Sequence, residues 1–246
     1  MAAAPSLLSK RSIKFDRASG PYFHSQALRD FGNLTQGWNE SRAHITAEHC
    51  RIKLCRNSLS ASGGMIAKYD IAPGSEYVAK FKVKFDRDFE WCTGGKLGLG
   101  FFLGDGAAGG SGCDGRGGSA RLVWHKHPRT EEVYLQAYAY HQGQTSRYGQ
   151  CFGRSPAEGS LATDRWYDVT LHVKSNTGCN TDGRLRMAID GHEICDRAMK
   201  WTTDDRKRLV HRMEFATFRG GATDDYKSAS DSFIYYSSLS WTRLAL

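Results

Sequence analysis

Two stretches of this 246-residue chain carry side chains able to do chemistry at strand spacing. In Ser119-Ala120-Arg121-Leu122-Val123-Trp124-His125, a period of two puts Ser119, Arg121, Val123 and His125 on one face. Ala120, Leu122 and Trp124 take the other, apolar face. In the stretch from Val133 to Tyr140, the apolar Val133, Leu135, Ala137 and Ala139 share a face, and Tyr134, Gln136, Tyr138 and Tyr140 oppose them. If the two stretches pair with both apolar faces on the core side, Arg121 falls opposite or diagonal to Tyr138 or Gln136. Cross-strand neighbours lie about 5 Å apart between Cβ atoms. A guanidinium fork matches a carboxylate and keeps its charge. Tyrosine rings pack on sugar faces while their hydroxyls bond to the rim. The patch therefore suits the floor of a groove for an acidic sugar polymer. The competing reading is a water-facing sheet whose tyrosines are there for their strand propensity.

These residues need a sheet to position them, and the rest of the chain supplies one. The link Lys126–Glu132, containing Pro128, is short enough to join the two stretches as a hairpin. Lysines alternate with Phe81, Val83 and Phe85 from Lys80 onward, and Trp166 to Val173 also reads as a strand. Leu185, Met187 and Ile189 alternate up to the turn pair Asp190-Gly191, which leads into His192-Glu193-Ile194. Phe233 to Tyr236 reads as a late strand. One short helix is predicted around Thr203–Arg208, with Thr202 or Thr203 as its cap. The glycine-rich Gly104–Gly118 lacks a following Gly-Lys-Ser/Thr, so it is a surface loop or a lid over a cleft rather than a phosphate cradle. Many short strands with glycine turns predict an all-β fold, a two-sheet antiparallel sandwich or jelly roll. Residues 1–246 read as a single domain, with 1–20 a loose N-terminal segment.

Composition narrows the partners. A formal charge of +8 and a pI near 9.1 favour polyanions. No apolar run approaches the ~18 residues of a membrane span, and none of the usual nucleic-acid motifs is present. Met1 to Phe15 lacks the apolar centre of a secretory signal. Seven cysteines nonetheless suit an oxidising setting, with Cys179–Cys195 and Cys113–Cys151 as candidate bridges, and an odd count means that at least one thiol stays unpaired. Asn33-Leu34-Thr35 and Asn39-Glu40-Ser41 fit glycosylation acceptors, so an extracellular, secreted protein is expected. There is no Cys-x-x-Cys zinc pattern. The polar faces above carry no carboxylate pair of the kind glycosidases require, and no Gly-x-Ser-x-Gly elbow occurs.

A set of short motifs, in order, resembles the alginate lyases of polysaccharide lyase family 14. It begins with Gly94-Gly95-Lys96-Leu97-Gly98-Leu99, the glycine-rich loop, Ser119-x-Arg121-x-x-Trp124 and Tyr138-Ala139-Tyr140. Tyr148-Gly149, Gly153-Arg154, Arg165-Trp166-Tyr167-x-Val169 and the hairpin from Asp182-Gly183 to Asp190-Gly191 continue it. Phe218-Arg219-Gly220-Gly221 and a last strand from Asp231 to Leu239 close it. The resemblance implies a β-jelly roll that depolymerises alginate or a related polyuronate without a metal or other cofactor. By matching positions it implies functional roles for Lys96, for Ser119 and Arg121, and for Tyr138 and Tyr140.

Elimination on a uronate requires the carboxylate next to C5 to be neutralised, the C5 proton to be removed and the departing O4 to be protonated. Arg121 is the expected neutraliser. Lys96 shares that task or acts on the proton, and Tyr138 and Tyr140 are candidates for base and acid, with neighbouring Arg and Lys expected to lower their pKa. His125 is a spare base, Ser119 orients a neighbour or the sugar, and Tyr134 and Gln136 join the binding face. A monomer acting on an acidic polysaccharide is expected, with alginate favoured and glucuronan as the variant. A non-catalytic lectin on the same scaffold would keep the aromatics and Arg121 but could spare Lys96 and the tyrosine hydroxyls.

Overall fold

Alternating apolar and polar residues become strands throughout the chain. The structure, a computed structural model, describes residues 9–111 and 113–246. In chain order its strands begin with β1 (Lys10–Lys14), β2 (Gly20–Pro21), β3 (Leu34–Gln36), β4 (Ala43–Thr46) and β5 (His49–Leu54). Next come β6 (Met65–Gly74), β7 (Glu76–Phe85), β8 (Gly94–Gly104), β9 (Gly117–Lys126) and β10 (Val133–Tyr140). The last six are β11 (Gln150–Ser155), β12 (Trp166–Lys174), β13 (Gly183–Ile189), β14 (His192–Met199), β15 (Val210–Arg219) and β16 (Ser232–Ala245).

They form two antiparallel sheets stacked as a sandwich, the all-β class expected. The seven-stranded sheet runs β11-β10-β9-β8-β15-β6-β3. The nine-stranded sheet runs β14-β13-β12-β7-β16-β5-β4-β2, with β1 pairing on β16. Between them lies the core, built from every second side chain. Ala120, Leu122 and Trp124 of β9, Val133, Leu135, Ala137 and Ala139 of β10, and Phe81, Val83 and Phe85 of β7 all point into it. Each large apolar side chain buried there contributes about 1.5–3 kcal/mol.

Three local expectations change. The helix predicted around Thr203–Arg208 is a single 3-10 turn, Asp205–Lys207, and its cap is Asp204, whose carboxylate accepts the Arg206 N–H at 3.0 Å. Thr203 is spent instead on bonding its N–H to the Gly115 carbonyl. A helix the sequence reading lacks, α1 (His24–Phe31), plugs one end of the core with Ala27 and Phe31. Phe31 stacks on Tyr69 at 4.5 Å. The cysteines are all free thiols. Cys195 faces the core and Cys179 is exposed, while Cys113 takes a hydrogen bond from Gln142. Within 1–20, residues 1–8 lie outside the described residues, Lys10–Lys14 is zipped onto β16, and Gly20–Pro21 pairs with β4.

Candidate functional site

The hairpin β9–β10 forms in the register that places Arg121 directly opposite Tyr138 and Ser119 opposite Tyr140. Pleating turns these four away from the core, onto the outer face of the seven-stranded sheet. One transverse row on that face has Lys68 of β6 opposite Glu214 of β15, and Glu214 opposite Gly100 of β8. Beyond Gly100 the row resumes with Arg121, Tyr138 and then Cys151 of β11. Gly100 is what lets the row close. A Cβ there would lie 2.5 Å from Arg121 Cγ and 2.9 Å from the Ala120 carbonyl oxygen, so any side chain would push the arginine aside. The neighbouring row holds Phe218, Lys96, Val123 and Gln136. Between Leu97 and Phe101 the β8–β9 pairing shifts register. Gly98 takes a φ of 62° there, as a bulge often requires of glycine, and its N–H bonds to the Tyr236 hydroxyl.

All of these row members except Gly100 and Gln136 floor a cleft of about 690 Å³ lined by Lys96, Arg121, His125, Tyr138, Tyr140 and Glu214, among others. Loops make its walls. Ala108 and Gly109 of the glycine-rich segment line it, so that segment is a wall of the cleft. Two anchors hold the wall: the Tyr140 hydroxyl accepts the Gly110 N–H at 3.0 Å, and the Ser119 hydroxyl donates to the Ala107 carbonyl at 2.7 Å. Tyr148 and Gly149 stand beside it, with the Gly149 N–H donating to the Tyr138 hydroxyl at 3.0 Å.

Arg121 and Glu214 are buried, 5% and 3% exposed, and lie 3.6 Å apart, an ion pair longer than a hydrogen bond. Among the described residues, Arg121 Nε and Glu214 Oε1 have no hydrogen-bond partner. Buried polar atoms left open in this way cost about 1–3 kcal/mol each, so a cleft that keeps them has a use for them. The Arg121 guanidinium lies 5.6 Å from the Tyr138 ring centre and 5.8 Å from that of Tyr140. Lys96 Nζ sits 4.9 Å from the Tyr138 ring centre and 5.7 Å from that of Phe218, and it donates to the Gly220 carbonyl at 3.4 Å.

This setting separates the titrating groups. Burial, reinforced by the charge of Arg121, lowers the Lys96 pKa to about 8. The Tyr138 hydroxyl moves up instead. Burial raises it most, its hydrogen bond and charge coupling with Tyr140 add to that, and the Arg121 charge does not overcome them. The lowering expected for this tyrosine is therefore reversed, because desolvation of a phenolate outweighs one neighbouring cation. Burial, helped by His127, keeps the His125 imidazole below its ordinary pKa.

Lys96, Arg121, Tyr138, Tyr140 and His125 thus come together in the cleft. Ser119 lies beneath its wall. Tyr134 packs under the Arg154 guanidinium at 4.3 Å, and Gln136 donates to the Gly153 carbonyl at 2.7 Å, so neither belongs to the cleft lining. The sequence reading missed Glu214. It shares its strand face with Arg212, Ala216 and Phe218, and a carboxylate leading into two apolar positions of that face was the available sign that something covers it. Glu214 is the one carboxylate among the described lining residues, whereas retaining or inverting hydrolysis uses two.

Fold and site define a class: a β-sandwich polysaccharide lyase, whose floor offers a carboxylate fork, a lysine brought close to neutrality and a phenol that keeps its proton. Residues 57–239 match the family Polysaccharide lyase 14, and the chain belongs to that family. The structure of alginate lyase Aly36B is 40% identical, with a TM-score of 0.95 over 98% of this chain and 99% of that one. A double mutant of Aly36B, with one lysine and one tyrosine replaced by alanine, was solved in complex with alginate tetrasaccharide (39% identity, TM-score 0.95, 98% and 99% covered). The alginate lyase from Aplysia kurodai, at 22% identity and a TM-score of 0.73 over 92% and 98% of the chains, shares the fold. A search of the curated proteins finds no match.

Proposed function

We propose that this protein is an alginate lyase acting as a monomer on extracellular polymer, with Arg121, Lys96 and Tyr138 as its working groups. The uronate carboxylate docks on Arg121, whose unpartnered Nε and fork neutralise it. Neutral Lys96 takes the C5 proton. The C4–O4 bond then breaks, a C4–C5 double bond forms, and the Tyr138 hydroxyl gives its proton to O4. That leaves an ammonium beside a phenolate, and return of the proton from Lys96 to Tyr138 restores the site. Tyr140, committed to the Gly110 N–H, holds the wall, and His125 borders the sugar. Glu214 fixes Arg121 from the side, within the same row.

The observation that carries this reading is Lys96, a lysine drawn to about 8 in the same cleft as Arg121, the one arginine among the described residues that line it. The pair replaced in the Aly36B complex supports it, because that lysine and tyrosine are separated by the same number of positions as Lys96 and Tyr138. The test is incubation with alginate, polymannuronate, polyguluronate and glucuronan, following ultraviolet absorbance of the unsaturated product. A rise on alginate that Lys96→Ala abolishes is expected. Binding without a rise on any polymer would leave a lectin.

A further inference from the structure

The outer face of the nine-stranded sheet, on the far side of the sandwich from the cleft, carries a transverse row of its own. One residue per strand, His44 of β4, Arg51 of β5, Tyr235 of β16, Lys84 of β7 and Trp166 of β12 stand opposite one another in register. Strand alternation turns all five outward, where each is half-buried. With strands about 4.8 Å apart, the row makes a band roughly 20 Å long.

Its members are packed rather than splayed into water. Lys84 Nζ lies 5.3 Å from the Tyr235 ring centre and 5.6 Å from that of Trp166. His49 meets Trp166 edge to face at 4.8 Å. Lys84 is paired with Asp164 at 2.7 Å, but among the described residues no carboxylate pairs with Arg51, His44 or His49. The cleft shows the same combination of a cation lying on aromatic faces, in Lys96 against Tyr138 and Phe218. Such a band offers ring faces for pyranose stacking and charge for carboxylates.

We propose that this row is a second, non-catalytic binding site for an acidic polysaccharide, engaging a segment other than the one in the cleft. The identity of its ligand rests on the polyuronate reading above. A long polymer held at both sites gains effective concentration at the cleft, whereas a short oligosaccharide cannot reach both. The row therefore acts on polymer and leaves small substrates alone.

The test compares unmodified protein with R51A/W166A and with Arg51→Glu alone, which keeps every aromatic ring. Substrates are alginate polymer and alginate tetrasaccharide, and native gels cast with alginate report binding in a Lys96→Ala background. The expected result is a KM for polymer raised about tenfold or more in both variants, with faster migration through alginate gels and unchanged turnover of tetrasaccharide. An unchanged polymer KM and migration, or a loss on tetrasaccharide matching that on polymer, overturns the proposal. If the unmodified protein cleaves no polyuronate, the lyase reading fails by itself, while retardation by alginate that Arg51→Glu removes still supports the row.

Discussion

Phe218→Ala is the sharpest probe of how the cleft tunes Lys96, the proposed base. The Phe218 ring stands opposite Lys96 in the sheet and 5.7 Å from its ammonium, and burial is the main cause of the low lysine pKa. At pH 7 a lysine of pKa about 8 is neutral roughly one time in ten, against roughly one in three thousand at the ordinary 10.5. The difference is about 300-fold in available base, or about 3 kcal/mol. Because the folded pKa lies below the ordinary one, the neutral form gains as pH rises through about 8, and kcat/KM should climb on that limb. Removing the ring admits water and moves the limb to higher pH. Arg121 still repels the ammonium, so 300-fold is the ceiling. Activity at pH 7 should fall about 10- to 300-fold, while at pH 10 it stays within about fourfold of the unmodified enzyme. The assay is a pH–rate profile by ultraviolet absorbance, with thermal melts checking the fold, since loss of a buried ring costs about 3–5 kcal/mol. A limb that stays put, or an equal loss at both pH values, refutes desolvation as the device.

Other substitutions separate the remaining parts. Glu214→Gln removes a charge that raises the Lys96 pKa, so the acid limb of the profile should move to lower pH, the opposite direction from Phe218→Ala. Tyr138→Phe should cut kcat by about 10²–10⁴ with little change in KM, read by steady-state kinetics. Tyr140→Phe leaves the Gly110 N–H without its acceptor and should lower stability by about 1–3 kcal/mol, read by denaturant titration. Gly100→Ala overpacks against Arg121 at a cost of about 1–3 kcal/mol and should raise KM as Arg121→Lys does.

Much of this was legible because a sheet is a simple decoder. Once β9 and β10 alternate, only the register is missing, and the short link after Lys126 restricts it, so spacing alone narrowed the neighbour of Arg121 to Tyr138 or Gln136, and the structure selects Tyr138. Residues two or more strands away follow no such rule. Glu214 reaches Arg121 across β8, although β15 lies far from both β8 and β9 in reading order, and it does so through the gap at Gly100. Short-range periodicity holds no trace of that neighbourhood. Helix α1 was invisible for a different reason. It is short, and Phe23 stands where a polar cap is usual, the Phe23 N–H being met by the Gln26 side chain at 2.9 Å instead. The tyrosine pKa went astray because neighbouring charges can be read from sequence and burial cannot.

The four groups proposed to do or support the chemistry, Lys96, Arg121, Tyr138 and Glu214, all stand on hydrogen-bonded strands of one sheet, whereas the walls above them belong to loops. Loops accept insertions and replacements that strands do not. Descent within such a scaffold can therefore rewrite the choice of sugar while inheriting the reaction intact. A library that varies only 105–116 and 141–149 would explore new polymers from a floor already able to break them.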